Sequence, residues 1–246
     1  MKNLFTSVIL LLLSLQVNAS NKKEFVIPFG TDWPPFSYLN KQNELIGSDI
    51  ELLKNTLNRI GYSLNHLKGV PVKRLVNHNK NLPLNANMAT NYTKERALKY
   101  HFSNFYRKEK VAVLYVDNKF KELSSIEEFL ELAETISINT SANYGDKFEI
   151  LRQKYQHKFY HSETAFRRLK QLATHRVDIV ISDMDNTNIL MESPEFKEVE
   201  MSSIIVAEND VSFVFLKSEF DEEFLSKFNN ALDLELKLRQ QNNVIK

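Results

Sequence analysis

The sequence predicts an α/β fold built from βαβ units, with mainly parallel sheets. Three observations predict it. Short apolar runs of strand length alternate with segments of helical period. The 246 residues, 43% of them hydrophobic and 26% charged, can bury a core as one large domain or two small ones. No Gly/Ser-rich or Pro-rich linker divides the chain, so any crossing between two lobes should be a strand rather than a tether.

The elements follow in order. Phe25-Val26-Ile27-Pro28-Phe29 reads as the first strand. Ile50, Leu53, Leu57 and Ile60 fall on one helical face, and Gly61 stands where a C-terminal cap is expected. Val111 to Val116 reads as a buried strand. Ser125 with Glu128 makes a capping-box pattern that opens a helix through about Ala133. Ile136-Ser137-Ile138 is a strand, and Tyr144 to about Tyr155 a helix with Phe148, Leu151 and Tyr155 on one face. Phe166, Leu169 and Leu172 mark the next helix, and Val177 to Ile181 the next strand. Asp210–Leu216 reads as the last strand, followed by an amphipathic helix from Phe220 to Leu238. Ligands of such sheets bind beyond the carboxyl ends of strands.

Composition excludes several functions. The 32 basic and 31 acidic residues leave a charge of +1, without the basic excess that tracking nucleic-acid phosphates requires. No cysteine is present, which removes disulfides, iron–sulfur clusters, cysteine nucleophiles and thiolate-bound zinc. Five scattered glycines build no phosphate loop, dinucleotide fingerprint or nucleophile elbow. His157 and His161 are four apart, but Lys158-Phe159-Tyr160 between them reads as a helix end running into a strand, which turns the imidazoles apart. No metal or cofactor is expected.

The first nineteen residues read as a secretory signal peptide. Lys2 supplies the positive charge, Val8 to Leu13 the apolar block, and Val17-Asn18-Ala19 the small-residue site, with cleavage expected after Ala19. The apolar block is shorter than the ~20 residues that span a bilayer, which argues against an uncleaved anchor. Cleavage there would leave a soluble periplasmic chain with equal numbers of acids and bases.

Four segments carry a family resemblance. They are Asp32-Trp33-Pro34-Pro35-Phe36-Ser37-Tyr38 running into Gly47-Ser48-Asp49-Ile50-Glu51-Leu52-Leu53; Thr93-Lys94-Glu95-Arg96 followed by Phe102-Ser103-Asn104-Phe105-Tyr106; Ser141-Ala142-Asn143-Tyr144-Gly145; and Val177-Asp178-Ile179-Val180-Ile181-Ser182-Asp183. Their order and spacing resemble the extracellular solute-binding proteins of ABC importers, in the polar amino-acid-binding family of the family 3 type. The resemblance implies a two-lobed periplasmic-binding-protein fold with two hinge crossings. Lobe one would comprise residues 21–109 and 206–246, and lobe two residues 110–205. It implies a monomeric, non-enzymatic receptor that closes on a small polar solute, an amino acid or related carboxylate, and delivers it to a membrane permease.

The resemblance also assigns roles. Arg96 would clamp a carboxylate with its planar fork, which Lys cannot reproduce; the plainer reading is a solvated Arg at a helix start. Asp183, at the end of a strand, would accept the ammonium, or serve only as a helix N-cap. Asp185 is the competing acid, and Asp178 reads as structural. Trp33, the only tryptophan, would lie against the solute or be buried beside its prolines. Asn91, Ser141 and Asn143 would supply amide, hydroxyl or backbone donors. Against the family pattern, Asn81–Asn87 replaces a Gly-x-x-Asp element, Thr140 stands where some relatives have arginine, Ser141 where glycine is common, and Ser48 where phenylalanine is frequent. Two other functions stay open: a dehydratase-like enzyme on the same scaffold using Asp183, Asp185 or Glu208, and a solute sensor for a membrane kinase.

Overall fold

The computed structural model describes residues 25–29, 32–62, 67–71, 85–139, 142–162 and 164–244. The signal-peptide segment, Thr140 and Ser141 lie outside the described residues. The chain opens with β1 (Phe25–Phe29), β2 (Asp32–Trp33), β3 (Ser37–Leu39), β4 (Leu45–Ile46) and α1 (Ser48–Arg59). β5 (Leu67–Pro71), β6 (Ala86–Asn91) and the short α2 (Lys94–Lys99) lead into β7 (Tyr100–Tyr115). Then come α3 (Ile126–Leu132), β8 (Ile136–Ile138), α4 (Asp146–Lys154), β9 (Phe159–His161), α5 (Ala165–Ala173), β10 (Ile179–Asp183) and α6 (Met184–Met191). β11 (Glu200–Leu216) and α7 (Glu222–Val244) complete the chain.

The sheets are less parallel than the alternation of elements predicts. β1–β5, β8–β9 and β8–β10 are parallel, whereas β7 pairs antiparallel with both β10 and β11, and β11 with β6. The cause is the length of β7 and β11. The sequence reading takes only their apolar ends, Val111–Val116 and Asp210–Leu216, as strands. Their middles are charged and polar, Arg107-Lys108-Glu109-Lys110 and Ala207-Glu208-Asn209-Asp210, so no apolar run continues through them. The two strands pair directly there, with Glu109 opposite Asn209 and Lys110 opposite Glu208. Along the exposed face Lys108 meets Glu208 at 2.8 Å and Asp210 at 3.7 Å, and Lys110 meets Glu208 at 3.8 Å.

Separate apolar cores form at the two ends of this pair. The first gathers Phe25, Ile27, Ile50, Leu53, Leu57, Tyr106, Phe213, Phe215, Phe228 and Leu232, so α1 and α7 pack where β1, β6 and the near ends of β7 and β11 meet. The second gathers Val111, Val113, Phe120, Phe129, Ile136, Ile138, Phe148, Ile179 and Ile181 on one side of the sheet. Leu114, Leu169, Leu172, Val180 and Phe196 fill the other side, and period-2 alternation along β7 and β10 feeds both.

Local signals end and start the helices as expected. Ile60 caps α1, and Gly61 follows at φ 82°. Ser125 Oγ accepts the Glu128 N–H, while the Glu128 carboxylate accepts the N–H of Ser124 at 2.7 Å, one residue earlier than a capping box requires. Gly47 is required sterically. Its φ is 132°, and a Cβ there would lie 2.2 Å from the Phe36 carbonyl oxygen. That close approach lets the Ser48 and Asp49 N–H groups donate to Pro35 O and Phe36 O, fixing the Trp33–Phe36 turn on the start of α1.

Candidate functional site

Asp183 is the last residue of β10 and the N-cap of α6. Its Oδ1 accepts the Asn186 N–H at 2.7 Å. Its Oδ2 is buried with no partner, although the residue is only 8% exposed. Burial raises its carboxyl to about 6, against the opposing effects of the Asn186 N–H and the Arg107 charge. A carboxylate with one oxygen capping and the other unsatisfied is a waiting acceptor. The N-cap reading and the binding reading are thus compatible, each on its own oxygen. Asp185 is exposed on the first turn of α6, and Glu208 is exposed and paired with Lys108, so neither competes with Asp183 at the strand end. Asp178 accepts three bonds of 2.9–3.0 Å from Glu134 and Thr135, a structural role.

Arg96 lies in the first turn of α2, its N–H accepted by the N-cap Thr93 Oγ1 at 3.2 Å. The half-buried guanidinium donates Nη1 to Asn91 O at 2.9 Å and to Asn91 Oδ1. Its remaining N–H groups have no acceptor among the described residues. Asn91, at the end of β6, donates Nδ2 to Asn143 O at 2.8 Å. Asn143 Oδ1 accepts the Gly145 N–H at 2.9 Å, holding the loop before α4. Arg96, Asn91 and Asn143 therefore form one chain linking the two core regions. A second link is the Asn186 Nδ2 bond to Pro34 O at 2.6 Å.

Asn91 owes its position to an irregularity. Ala89 has φ 48°, at the point where the β6–β11 register shifts. Its N–H leaves the ladder and donates to Tyr106 Oη at 3.0 Å, and Tyr106 in turn donates to Asp49 Oδ2 at 2.7 Å. Trp33 is half-buried, packed on Phe36 at 4.9 Å between ring centroids, with the Arg107 guanidinium 5.1 Å from its ring. Phe36 is buried and lies closer still to that guanidinium, at 3.7 Å.

Sequence reasoning passed over three residues of this cluster. Arg107 forks onto the buried Asp49, with Nη2 3.1 Å from Oδ2. Glu109 is two residues on, on the same strand face, and burial with the Asp183 charge lifts it to about 7. Arg168 on α5 is buried, donating to Ser162 O at 2.9 Å and Ser182 Oγ at 3.1 Å, while its Nε has no partner. The available signal was charge at alternate positions of Arg107-Lys108-Glu109-Lys110. Period 2 puts Arg107 and Glu109 on one face and both lysines on the other. Among the described residues no three His, Asp or Glu side chains are grouped to hold a metal, and no helix is long and apolar enough to cross a membrane.

An α/β molecule with two core regions on a shared antiparallel strand pair, and opposite charges at a helix start and a strand end between them, has the architecture of a periplasmic-binding-protein-like solute binder. The chain belongs to the bacterial extracellular solute-binding proteins, family 3, whose model matches residues 26–167. No curated protein matches it by sequence. Among solved structures it is similar to a mutant of ArgBP from T. maritima, at 19% identity and TM-score 0.71 over 90% of this chain and 92% of that one. It is similar to ArtJ, the arginine-, lysine-, histidine-binding protein of Geobacillus stearothermophilus, at 19% identity and TM-score 0.71 over 91% and 94%. A histidine kinase sensor domain with similarity to periplasmic binding proteins matches at 15% identity and TM-score 0.72 over 90% and 93%. Identities this low establish the shared fold.

Proposed function

We propose that the chain is an exported receptor that captures an amino acid between two lobes and hands it to the permease of an ABC importer. The observation that carries this reading is the pairing of Arg96, with free guanidinium donors, and Asp183, with a buried unpartnered oxygen. A zwitterion supplies what each lacks: a carboxylate for the fork and an ammonium for the acid. The solved relatives named for arginine, lysine and histidine binding support the same class. On this reading the lobes are residues 21–109 with 206–246, and 110–205, turning on β7 and β11 as a hinge. Trp33 packs the solute's aliphatic part, and Asn91, Ser141 and Asn143 complete its polar contacts. The segment before Ser20 is removed on export.

The test is mass spectrometry of solute released from freshly purified protein, followed by calorimetry with that solute. Arg96→Ala is expected to weaken binding by roughly 2–5 kcal/mol while the fold persists. Unchanged affinity would remove Arg96 from the site. Co-purification with a permease rather than a kinase separates delivery from sensing.

A further inference from the structure

Glu109 lies near both Arg96 and Asp183, the two residues assigned to the solute. Asp183 pairs with Val111 across β7 and β10, and Glu109 is two residues along β7 on the same face. Diagonal neighbours of this kind are about 7–8 Å apart, room for one small group between two carboxylates. Arg96 and Asp183 each lie within range of the Glu109 charge. The exposed faces of Lys108 and Lys110 are spent on Glu208, which leaves Glu109 on the inward face of the strand pair.

The cations around Glu109 bond mainly to other groups, although Arg107 Nη1 and Arg168 Nε are buried with no partner among the described residues. Arg107 is held by Asp49 from α1. Arg168 from α5 donates to Ser162 and Ser182. Arg96 from α2 donates Nη1 to Asn91. Tyr144, in the loop before α4, is buried and adds no cation. No hydrogen bond or ion pair joins the Glu109 carboxyl to any described residue. Beside it the Asp183 Oδ2 is buried and unpartnered. Glu109 and Asp183 are thus two under-satisfied carboxyls on one face of neighbouring strands, and a single ammonium satisfies one of them.

We propose that Glu109 is a specificity-determining, solute-contacting carboxylate that selects solutes carrying a second cationic group beyond the α-ammonium, such as a basic amino acid. This rests on the amino-acid reading above. Burial disfavours the ionised carboxyl, and a solute cation within hydrogen-bond reach restores it. A neutral side chain leaves Glu109 to close protonated or unpaired, which costs affinity.

The test compares isosteric pairs by calorimetry at pH 7.5: L-arginine with L-citrulline, and L-lysine with 6-hydroxynorleucine. The wild type is expected to bind the cationic member of at least one pair tenfold or more tightly, ~1.4 kcal/mol or above. Glu109→Gln, close to isosteric, is expected to bring that ratio to within about threefold by weakening the cationic member and, if anything, tightening the neutral one, with a cooperative melt kept. A wild-type ratio near one, or a preference that survives Glu109→Gln, overturns the role of Glu109 and leaves amino-acid capture standing. A wild type that binds no amino acid overturns both. Asp183→Asn separates the two sites, since it is expected to weaken both members of each pair alike.

Discussion

Arg107 and Asp49 show how one buried ion pair organises the residues around it. Asp49 is 2% exposed, and it accepts from Tyr106 Oη as well as from the Arg107 guanidinium. Arg107 also lies against the rings of Phe36 and Trp33. The pair therefore ties α1, β7 and the Trp33–Phe36 turn together at the edge of the candidate site. Glu109 and Asp183 lack such a partner, and both have carboxyls raised above their ordinary values, to about 7 and about 6. An acid whose folded pKa exceeds its unfolded one stabilises most below the unfolded pKa and loses that contribution as pH rises through the folded value. Unliganded protein is thus expected to become more stable as pH falls from 8 to 5, by about 1–3 kcal/mol from these two groups together. Thermal melts of the wild type and Glu109→Gln across that range check it. The pH dependence should be shallower in the variant, and identical slopes would show that Glu109 titrates as an ordinary carboxylate. These pKa values were not legible in the sequence. Glu109 looks like any acid in a charged run until the strand pairing puts it beside Asp183.

At the scale of elements, turns and bulges aim the site. Gly47 permits the contact between the Trp33–Phe36 turn and α1, at a φ that other residues rarely adopt. Gly47→Ala is expected to cost about 1–3 kcal/mol in backbone strain before the clash with Phe36 O is counted. The melting point should fall by ~2–4 °C for each kcal/mol, and an unchanged melting point would mean that the turn can shift at no cost. The sequence marked Gly47 as part of a segment but not the reason for it, because the contact is made by residues eleven positions earlier in the chain. Two of the helix N-caps, Ser125 and Asp183, were legible in the sequence. Thr93, Ser125, Thr164 and Asp183 each accept a bond from the N–H three residues on. Capping is local chemistry, read within four residues.

Across the molecule, side-chain links between the core regions run from Asn91 to Asn143, from Asn209 to Asn143 and from Asn186 to Pro34 among the described residues. If the β7–β11 pair is a hinge, these links stabilise the closed arrangement. Asn186→Ala deletes the Pro34 bond but keeps the backbone N–H that Asp183 caps with. It is expected to raise the open population and weaken solute binding by about 1 kcal/mol, roughly fivefold. Small-angle scattering of the unliganded variant checks the first effect and calorimetry the second. An unchanged radius together with unchanged affinity would show that this bond plays no part in closure. The opposed charges of Lys108, Lys110, Glu208 and Asp210 on the outer face of the same strands belong to this scale too. They leave the strand pair solvated on one side, while the cluster of Arg107, Glu109 and Asp183 occupies the other.

Local signals in the sequence marked most of the helices and the apolar strand segments, though not β4, β5 or β6, and showed which acid and which arginine stand at a strand end and a helix start. Those features follow from periodicity and capping, which act over a few residues. Tertiary structure decided the rest. It extended β7 and β11 through charged residues, because two long strands satisfy each other's backbone whatever their side chains. It also brought Glu109 beside Asp183 and Arg107 onto Asp49. These pairs lie 74 and 58 positions apart in the chain, and no local signal reports a charge whose partner is that distant.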